Sequence, residues 1–180
     1  MNDLKLERVS ALTEADIAEC DFSFKIHAEV AKPVTQLALD QNFTTSPLPE
    51  RTKVFDLNPE EFASADDKKN VIFVLKKDEN ILGLAAASKG WNNMVHLDYI
   101  GLDTGIRGAG NAQRLLSAVL DWTREIGLGY LRVECQSNNV SACRFYKKAG
   151  MTFGGYDENL YGAIPESKGE TAIFFYYMLK

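Results

Sequence analysis

The sequence predicts a mixed α/β or α+β domain built around a sheet, and three observations carry that reading. From residue 71 onward, a meander of apolar strands gives way to a helix, a strand, a second helix and a closing hairpin. Alternating apolar residues and residues at helical 3, 4, 7, 8 spacing occupy separate stretches, each bounded by Gly, Asn or Asp. The length of 180 residues, 46% of them apolar, suits a single compact domain over 1–180 with a real core.

The elements follow in order. In Thr13-Glu-Ala-Asp16 a hydroxyl precedes a carboxylate by three residues, the pattern of a helix start. Phe22, Phe24, Ile26, Ala28 and Val30 alternate with mostly polar neighbours, as in a half-buried strand. Residues 41–51 are polar, hold two prolines and read as a loop. Strands at 71–77 and 81–88 are joined by Asp78-Glu-Asn80, a hairpin signature. After a turn at 90–93 comes a third strand, 94–102, and then the glycine-rich Gly105-Ile-Arg-Gly-Ala-Gly110. The next helix buries Ala112, Leu115, Leu116, Val119, Leu120 and Ile126 on one face and stops at Gly127 and Gly129. A strand at 130–136 leads to Asn139, which caps a helix running to about residue 149, and Gly150 ends it. Strands near 152–161 and 171–179 close the chain.

Charge narrows the function. The net charge is −5, and it is uneven: residues 1–70 hold 8 basic and 14 acidic side chains, residues 71–180 hold 12 and 11. An overall acidic chain argues against a protein that coats nucleic acid, and an anionic ligand belongs more naturally to the second part. Cys20, Cys135 and Cys143 lack the close paired spacing of a zinc site or a disulfide framework, so no metal and a reducing compartment are expected. The start has no apolar signal region and the apolar run at 172–179 is far short of the roughly 20 residues that span a bilayer. The expectation is a cytoplasmic protein without a membrane partner.

Arg107-Gly-Ala-Gly-Asn-Ala112 joins a strand to the first turn of a long helix. Backbone N–H groups there lack intrahelical acceptors, the helix dipole is positive, and glycines let an anion come close. A P-loop is excluded, because Gly110 is followed by Asn111 and Ala112 rather than Lys and Ser or Thr. A dinucleotide fingerprint fits poorly, since Gln113 occupies its third glycine position and the loop follows a meander instead of a first parallel strand. One strand and one helix later comes Asn139-x-x-Ala142-x-x-Phe145-Tyr146-x-x-x-Gly150-Met151. Together with Arg107-x-x-Gly110-x-Ala112, this resembles the GNAT superfamily of acetyl-CoA-dependent N-acetyltransferases, clearly over 71–180 and loosely before. Within it the chain is most similar to streptothricin acetyltransferases, through Gly90-Trp-Asn92, Leu97-Asp-Tyr-Ile100, Arg132-Val-Glu-Cys-Gln-Ser-Asn-Asn139, Ala142-Cys143, Phe153-Gly-Gly155 and Glu170-Thr-Ala172.

The resemblance implies a mainly antiparallel mixed sheet splayed in its middle, with residues 71–180 as the acetyl-CoA core and 1–70 as acceptor-side elements. It implies acetyl-CoA as co-substrate, bound by Ile100, Gly101, Leu102, Arg107, Gly108, Ala109, Gly110, Asn111, Ala112, Asn139 and Tyr146. Backbone N–H groups near residues 100–102 would stabilise the oxyanion, and Tyr146 would protonate the leaving thiol; packing of its ring is the alternative use. Asp98 matches a family carboxylate and is the candidate base, with a water relay or a plain surface carboxylate as alternatives. Direct transfer to a primary amine of a small cationic acceptor, streptothricin among them, is the implied reaction. A polyamine, another antibiotic or a protein amine would keep the chemistry, and a non-catalytic acyl-CoA or nucleotide sensor would not. Cys143, inside a short helix, reads as a small buried residue and not as an acyl carrier. The segment 56–67, with five carboxylates and no Lys or Arg, would attract a cationic acceptor, although Asn58-Pro-Glu-Glu61 is also a helix-start pattern. Two departures stand out: Arg51-Thr-Lys-Val-Phe55 lacks the tyrosines that the family tends to place around a lysine, and Asn111 replaces a small apolar loop residue. The final hairpin leaves an edge that would permit a homodimer.

Overall fold

A computed structural model describes residues 4–38, 42–55, 57–63 and 66–180. Strands β1 (Lys5–Val9), β2 (Phe24–Val30), β3 (Thr45–Lys53), β4 (Asn70–Lys77), β5 (Asn80–Lys89), β6 (Val95–Leu102), β7 (Tyr130–Gln136), β8 (Thr152–Asp157) and β9 (Ala172–Met178) alternate with helices α1 (Glu14–Ile17), α2 (Asn111–Glu125) and α3 (Val140–Lys148). The chain forms two compact units. One holds the chain up to Ser23, Val54–Leu131 and Leu179–Lys180; the other holds Phe24–Lys53 and Arg132–Met178. Both mix strands with helices, so the α/β class stands. The change in charge at residue 70 falls inside the first unit and marks no structural boundary.

In the first unit β1, β4, β5 and β6 lie side by side, each antiparallel to the next. Asp78 takes a positive φ of 53° to close the tight β4–β5 turn. The amphipathic α2 covers β4, β5 and β6, and its Leu115, Leu116 and Val119 are fully buried. Each such side chain is worth about 1.5–3 kcal/mol of apolar burial. Trp122 is buried with them, its indole N–H satisfied by the Asp67 carbonyl at 2.9 Å. A further cluster joins Leu12, Ile72, Val74, Ile81 and Leu84 to Phe22, Phe62 and Tyr99. The expected helix start at Thr13 is present: the Asp16 carboxylate accepts from the Thr13 N–H and hydroxyl, both at 2.8 Å.

In the second unit β9 lies between β7 and β8, antiparallel to β8, while β2 and β3 form a separate antiparallel pair. Here the expected loop at 41–51 is corrected, because residues 45–51 belong to β3. Pro47 stands opposite Ala28, and the register shifts between Ala28 and Ile26. In a two-stranded sheet an outward-facing position needs no donor, so prolines there cost little. The last hairpin is shorter than expected, since β8 ends at Asp157, whose carboxylate accepts the N–H groups of Asn159 and Leu160 at 2.7 and 3.1 Å. β1, almost fully exposed, had no apolar alternation to announce it.

Candidate active site

The first unit gathers most of the expected residues along β6 and the segment after it. β6 pairs with β5 as Leu97 with Ala87 and Tyr99 with Ala86, so Asp98 is an extra residue with no partner, a β-bulge. Bulges re-aim side chains, and the residue aimed here is a carboxylate. Protein around Asp98 displaces its solvation and pushes its pKa up to about 6, against a hydrogen bond with the Ser88 side chain that lowers it. The side chain is nonetheless exposed.

Beyond the bulge, the Asp103 N–H donates to the Leu82 carbonyl at 2.8 Å. Alternation in an antiparallel ladder then turns the Gly101 N–H toward β5 and those of Ile100 and Leu102 toward the opposite edge. Of the three expected backbone donors, Ile100 and Leu102 therefore share a direction and Gly101 does not. Gly101 also leaves room for its neighbour: a Cβ would come within 2.7 Å of the Tyr99 ring. That ring stands 6.1 Å from Phe22 and 6.3 Å from Phe62, and burial pushes its hydroxyl up to about 12.

The loop after β6 is held by its own polar groups. Asp103 accepts from the Gly105 N–H at 2.8 Å and the Asp21 N–H at 2.9 Å, and Thr104 N–H donates to the Asp21 carbonyl at 3.0 Å. Arg107 turns back on the backbone, with Nε 3.1 Å and Nη2 2.9 Å from the Leu102 carbonyl. It anchors the loop, and the exposed backbone of Arg107, Gly108, Ala109 and Gly110 carries the opening. Gly108 and Gly110 have φ of +82° and +79°, conformations that favour glycine, and no atom lies within 4 Å of where a Cβ would be. Gly110 is the N-cap of α2, whose first turn holds no acidic residue. Asn111, the departure in the loop, is buried and useful: its amide donates to the Ile106 carbonyl at 2.8 Å and its oxygen accepts from Arg114 at 3.3 Å. The half-buried Ala112 follows it on the helix. The result is a 15-residue helix whose first N–H groups open onto a glycine-lined, pinned loop, an arrangement suited to a pyrophosphate.

The second unit holds Asn139 and Tyr146 on one helix. Asn139 is the N-cap of α3, its side-chain oxygen accepting from the Ala142 N–H at 3.1 Å. One face of α3 later, Tyr146 is buried with its ring 5.2 Å from Phe145 and 5.7 Å from Phe175. Burial, then the neighbouring thiols of Cys135 and Cys143, push its hydroxyl well above its usual range. The ring is thus a packing element, and the hydroxyl is kept protonated. Cys143 is fully buried, its sulfur 3.4 Å from that of Cys135, which fits the reading of a small core residue.

Two polar groupings were not singled out from sequence as sites. Glu170 and Lys53 are buried together at 2.6 Å; Lys53 also donates to Ser167 at 3.1 Å, and Arg51 reaches Glu170 at 3.0 Å. Burial raises the Glu170 pKa, but the hydrogen bonds from Lys53, Asn138 and Arg51 outweigh it and the net direction is down. The signals in sequence are the Arg51 to Phe55 departure and the motif residues Glu134 and Glu170. Elsewhere the Tyr161 hydroxyl donates to Glu134 at 2.8 Å, and Arg132 lies over the Phe174 ring at 4.4 Å.

The described acidic residues of 56–67 have local uses, whereas Asp56 lies outside the described residues. Asn58 caps a short 3-10 turn that contains Glu60 and Glu61. Asp66 pairs with Lys69 at 3.6 Å and accepts the Lys68 N–H, and Asp67 pairs with Arg8 at 3.9 Å.

Known proteins resemble this chain. A family model described as the acetyltransferase (GNAT) family matches residues 34–151. The chain is 33% identical over 100 residues to streptothricin acetyltransferase of Escherichia coli, covering 56% of this chain and 58% of that protein. It is 30% identical over 112 residues to streptothricin acetyltransferase A of Bacillus subtilis strain 168, covering 62% and 64%. The matched stretch therefore spans less than two thirds of either relative. Among solved structures, a protein described as a streptothricin acetyltransferase of Bacillus anthracis strain Ames, in complex with acetyl coenzyme A, has a TM-score of 0.79 at 26% identity over 98% of this chain and 99% of its own. A nourseothricin acetyltransferase gives a TM-score of 0.74 at 26% identity, over 97% and 99%.

Proposed function

The chain belongs to the acetyltransferase (GNAT) family, and on that premise we propose that it transfers acetyl from acetyl-CoA directly to a primary amine of a small cationic acceptor, streptothricin being the leading candidate. The observation that carries this reading is the bulge at Asp98, which sets a raised carboxyl on the same strand that runs into the anion-receptive loop. The relatives' activity and the acetyl coenzyme A of the Bacillus anthracis structure support the choice of donor and acceptor.

In this reading the α2 N-terminus and the Gly108–Gly110 backbone hold the pyrophosphate, and the thioester arm runs along β6. The N–H groups of Ile100 and Leu102 face the edge where they serve the thioester oxygen. An ammonium of pKa about 10.4 must lose its proton before its nitrogen attacks. A carboxylate near 6 makes that transfer less uphill than one near its ordinary value, so Asp98 takes the proton directly or through a water. The amine nitrogen bonds to the carbonyl carbon and releases its second proton to solvent, the carbon–sulfur bond breaks, and the Tyr146 hydroxyl gives a proton to the departing thiolate and regains one from solvent. Cys143 takes no part, since its sulfur is enclosed in the core.

The test is release of free thiol from acetyl-CoA in the presence of streptothricin, aminoglycosides, polyamines or peptide amines. Thiol release with streptothricin at the highest kcat/KM is the expected result. Release only with another amine reassigns the acceptor, and binding of acetyl-CoA without release from any amine overturns the enzymatic reading in favour of a sensor.

A further inference from the structure

We propose that Trp91 binds the acceptor, lying against a second positively charged group of the molecule whose amine reacts near Asp98. The inference rests on the acetyltransferase reading and extends it to a residue that holds substrate. Trp91 is 94% exposed, and its place is fixed by the turn that carries it. Gly90 N–H donates to the Met94 carbonyl at 2.8 Å, Asn93 N–H to the Gly90 carbonyl at 3.2 Å, and Met94 N–H to the Asn92 side chain at 3.2 Å. Asn93 adopts a positive φ of 59° to close it. An apolar ring this exposed on a turn this well tied does nothing for the core, so its surface is available for a ligand.

Its position relative to Asp98 follows from a chain of contacts. Asp98 is hydrogen-bonded to Ser88, Ser88 pairs across the ladder with His96, and the His96 ring lies against Gly90, where a Cβ would come within 2.7 Å of Nε2. Trp91 is three residues along the chain from Ser88, which keeps their backbones within about 11 Å even if the segment were fully extended. β6 leads away from this turn toward the glycine loop. With the pyrophosphate at the loop and the thioester arm along β6, the end of the strand at Trp91 is left for the acceptor. An indole face attracts an ammonium or guanidinium within about 6 Å of its centroid. A polycation with one amine at Asp98 therefore has an aromatic contact for a second cation at the distance its own length spans.

The test compares the wild type with Trp91→Ala and Trp91→Phe, using streptothricin or whichever amine of the panel the wild type acetylates. The Ala variant should raise the acceptor KM about three- to tenfold and leave kcat and the acetyl-CoA KM within twofold, and the Phe variant should recover most of the loss. Fluorescence gives an independent reading, because the chain has two tryptophans and Trp122 is buried. Acrylamide should quench Trp91 selectively, and the same amine should protect it. An unchanged acceptor KM in Trp91→Ala, with thiol release intact, overturns this proposal alone. Absence of thiol release by the wild type with every amine overturns the acetyltransferase reading and this one with it.

Discussion

Asp98 shows how a single residue ties chemistry to stability. Its pKa lies near 6 in the folded chain and near its ordinary value when unfolded, so the fold binds that proton more tightly. Its charged form is disfavoured by the fold, and stability from this group rises as pH falls through about 6 and declines as pH rises through the same range. The proposed role as a base has the opposite demand, since a base must be deprotonated. The rate of thiol release should therefore fall below pH 6, and Asp98→Asn should lower kcat about a hundredfold, remove that acidic limb and raise Tm at pH 8. A pH–rate profile beside melting curves at two pH values checks both halves. Tyr146→Phe separates acid from packing: it keeps the ring between Phe145 and Phe175 and removes only the hydroxyl. A fall in kcat of about a hundredfold, with Tm within a few degrees, is expected by the same assays. At this scale the sequence named Asp98 and Tyr146 through family motifs, yet the bulge that aims one and the aromatic pocket that encloses the other depend on partners 11 and 29 residues away, Ala87 and Phe175.

Among elements, the loop between β6 and α2 carries most of the binding argument, and its glycines do different work. Gly108 and Gly110 supply backbone conformation, while Gly101 supplies clearance for Tyr99. Gly110→Ala meets no clash but must hold a left-handed cap at a cost of about 1–2 kcal/mol. We expect a Tm lower by roughly 3–6 °C and weaker binding of acetyl-CoA by at least tenfold, measurable by calorimetry. The helices and the β4–β6 meander were legible because each repeats an apolar period over many residues. β3 was not, since Pro47 and Pro49 are loop residues in any local reading and only pairing with β2 makes them a strand. β1 escaped notice for the same reason, having charged residues on an edge whose register is set by β4.

Across the whole molecule, charge is distributed by folding more than by composition. The imbalance at residue 70 suggests an acidic segment that attracts a cationic acceptor, and in it Asp66 lies 3.6 Å from Lys69 and Asp67 3.9 Å from Arg8. The buried Lys53–Glu170 pair ties β3 to the segment before β9. Lys53→Met leaves Glu170 buried with only Arg51 and Asn138, and breaking a buried pair costs about 3–5 kcal/mol. Scanning calorimetry should show a lower Tm for that variant. Because the Glu170 pKa is lowered on folding, its contribution is present above the carboxylate's ordinary pKa and is lost as pH falls below it, so the wild type and variant should converge in acid.

The bulge in β6 also bears on descent. Leu97, Ile100 and Leu102 face the same side of the sheet because one residue is supernumerary between them. Losing a single codon at Asp98 would turn β6 into a regular strand with each remaining side chain on its present face. Such a chain should fold, retain acetyl-CoA and transfer nothing, which tandem binding and thiol-release measurements on the deletion variant would reveal. On the proposed function, an enzyme and an inert acyl-CoA binder would be one deletion apart in this fold, a gap that lineages could cross without repacking a core.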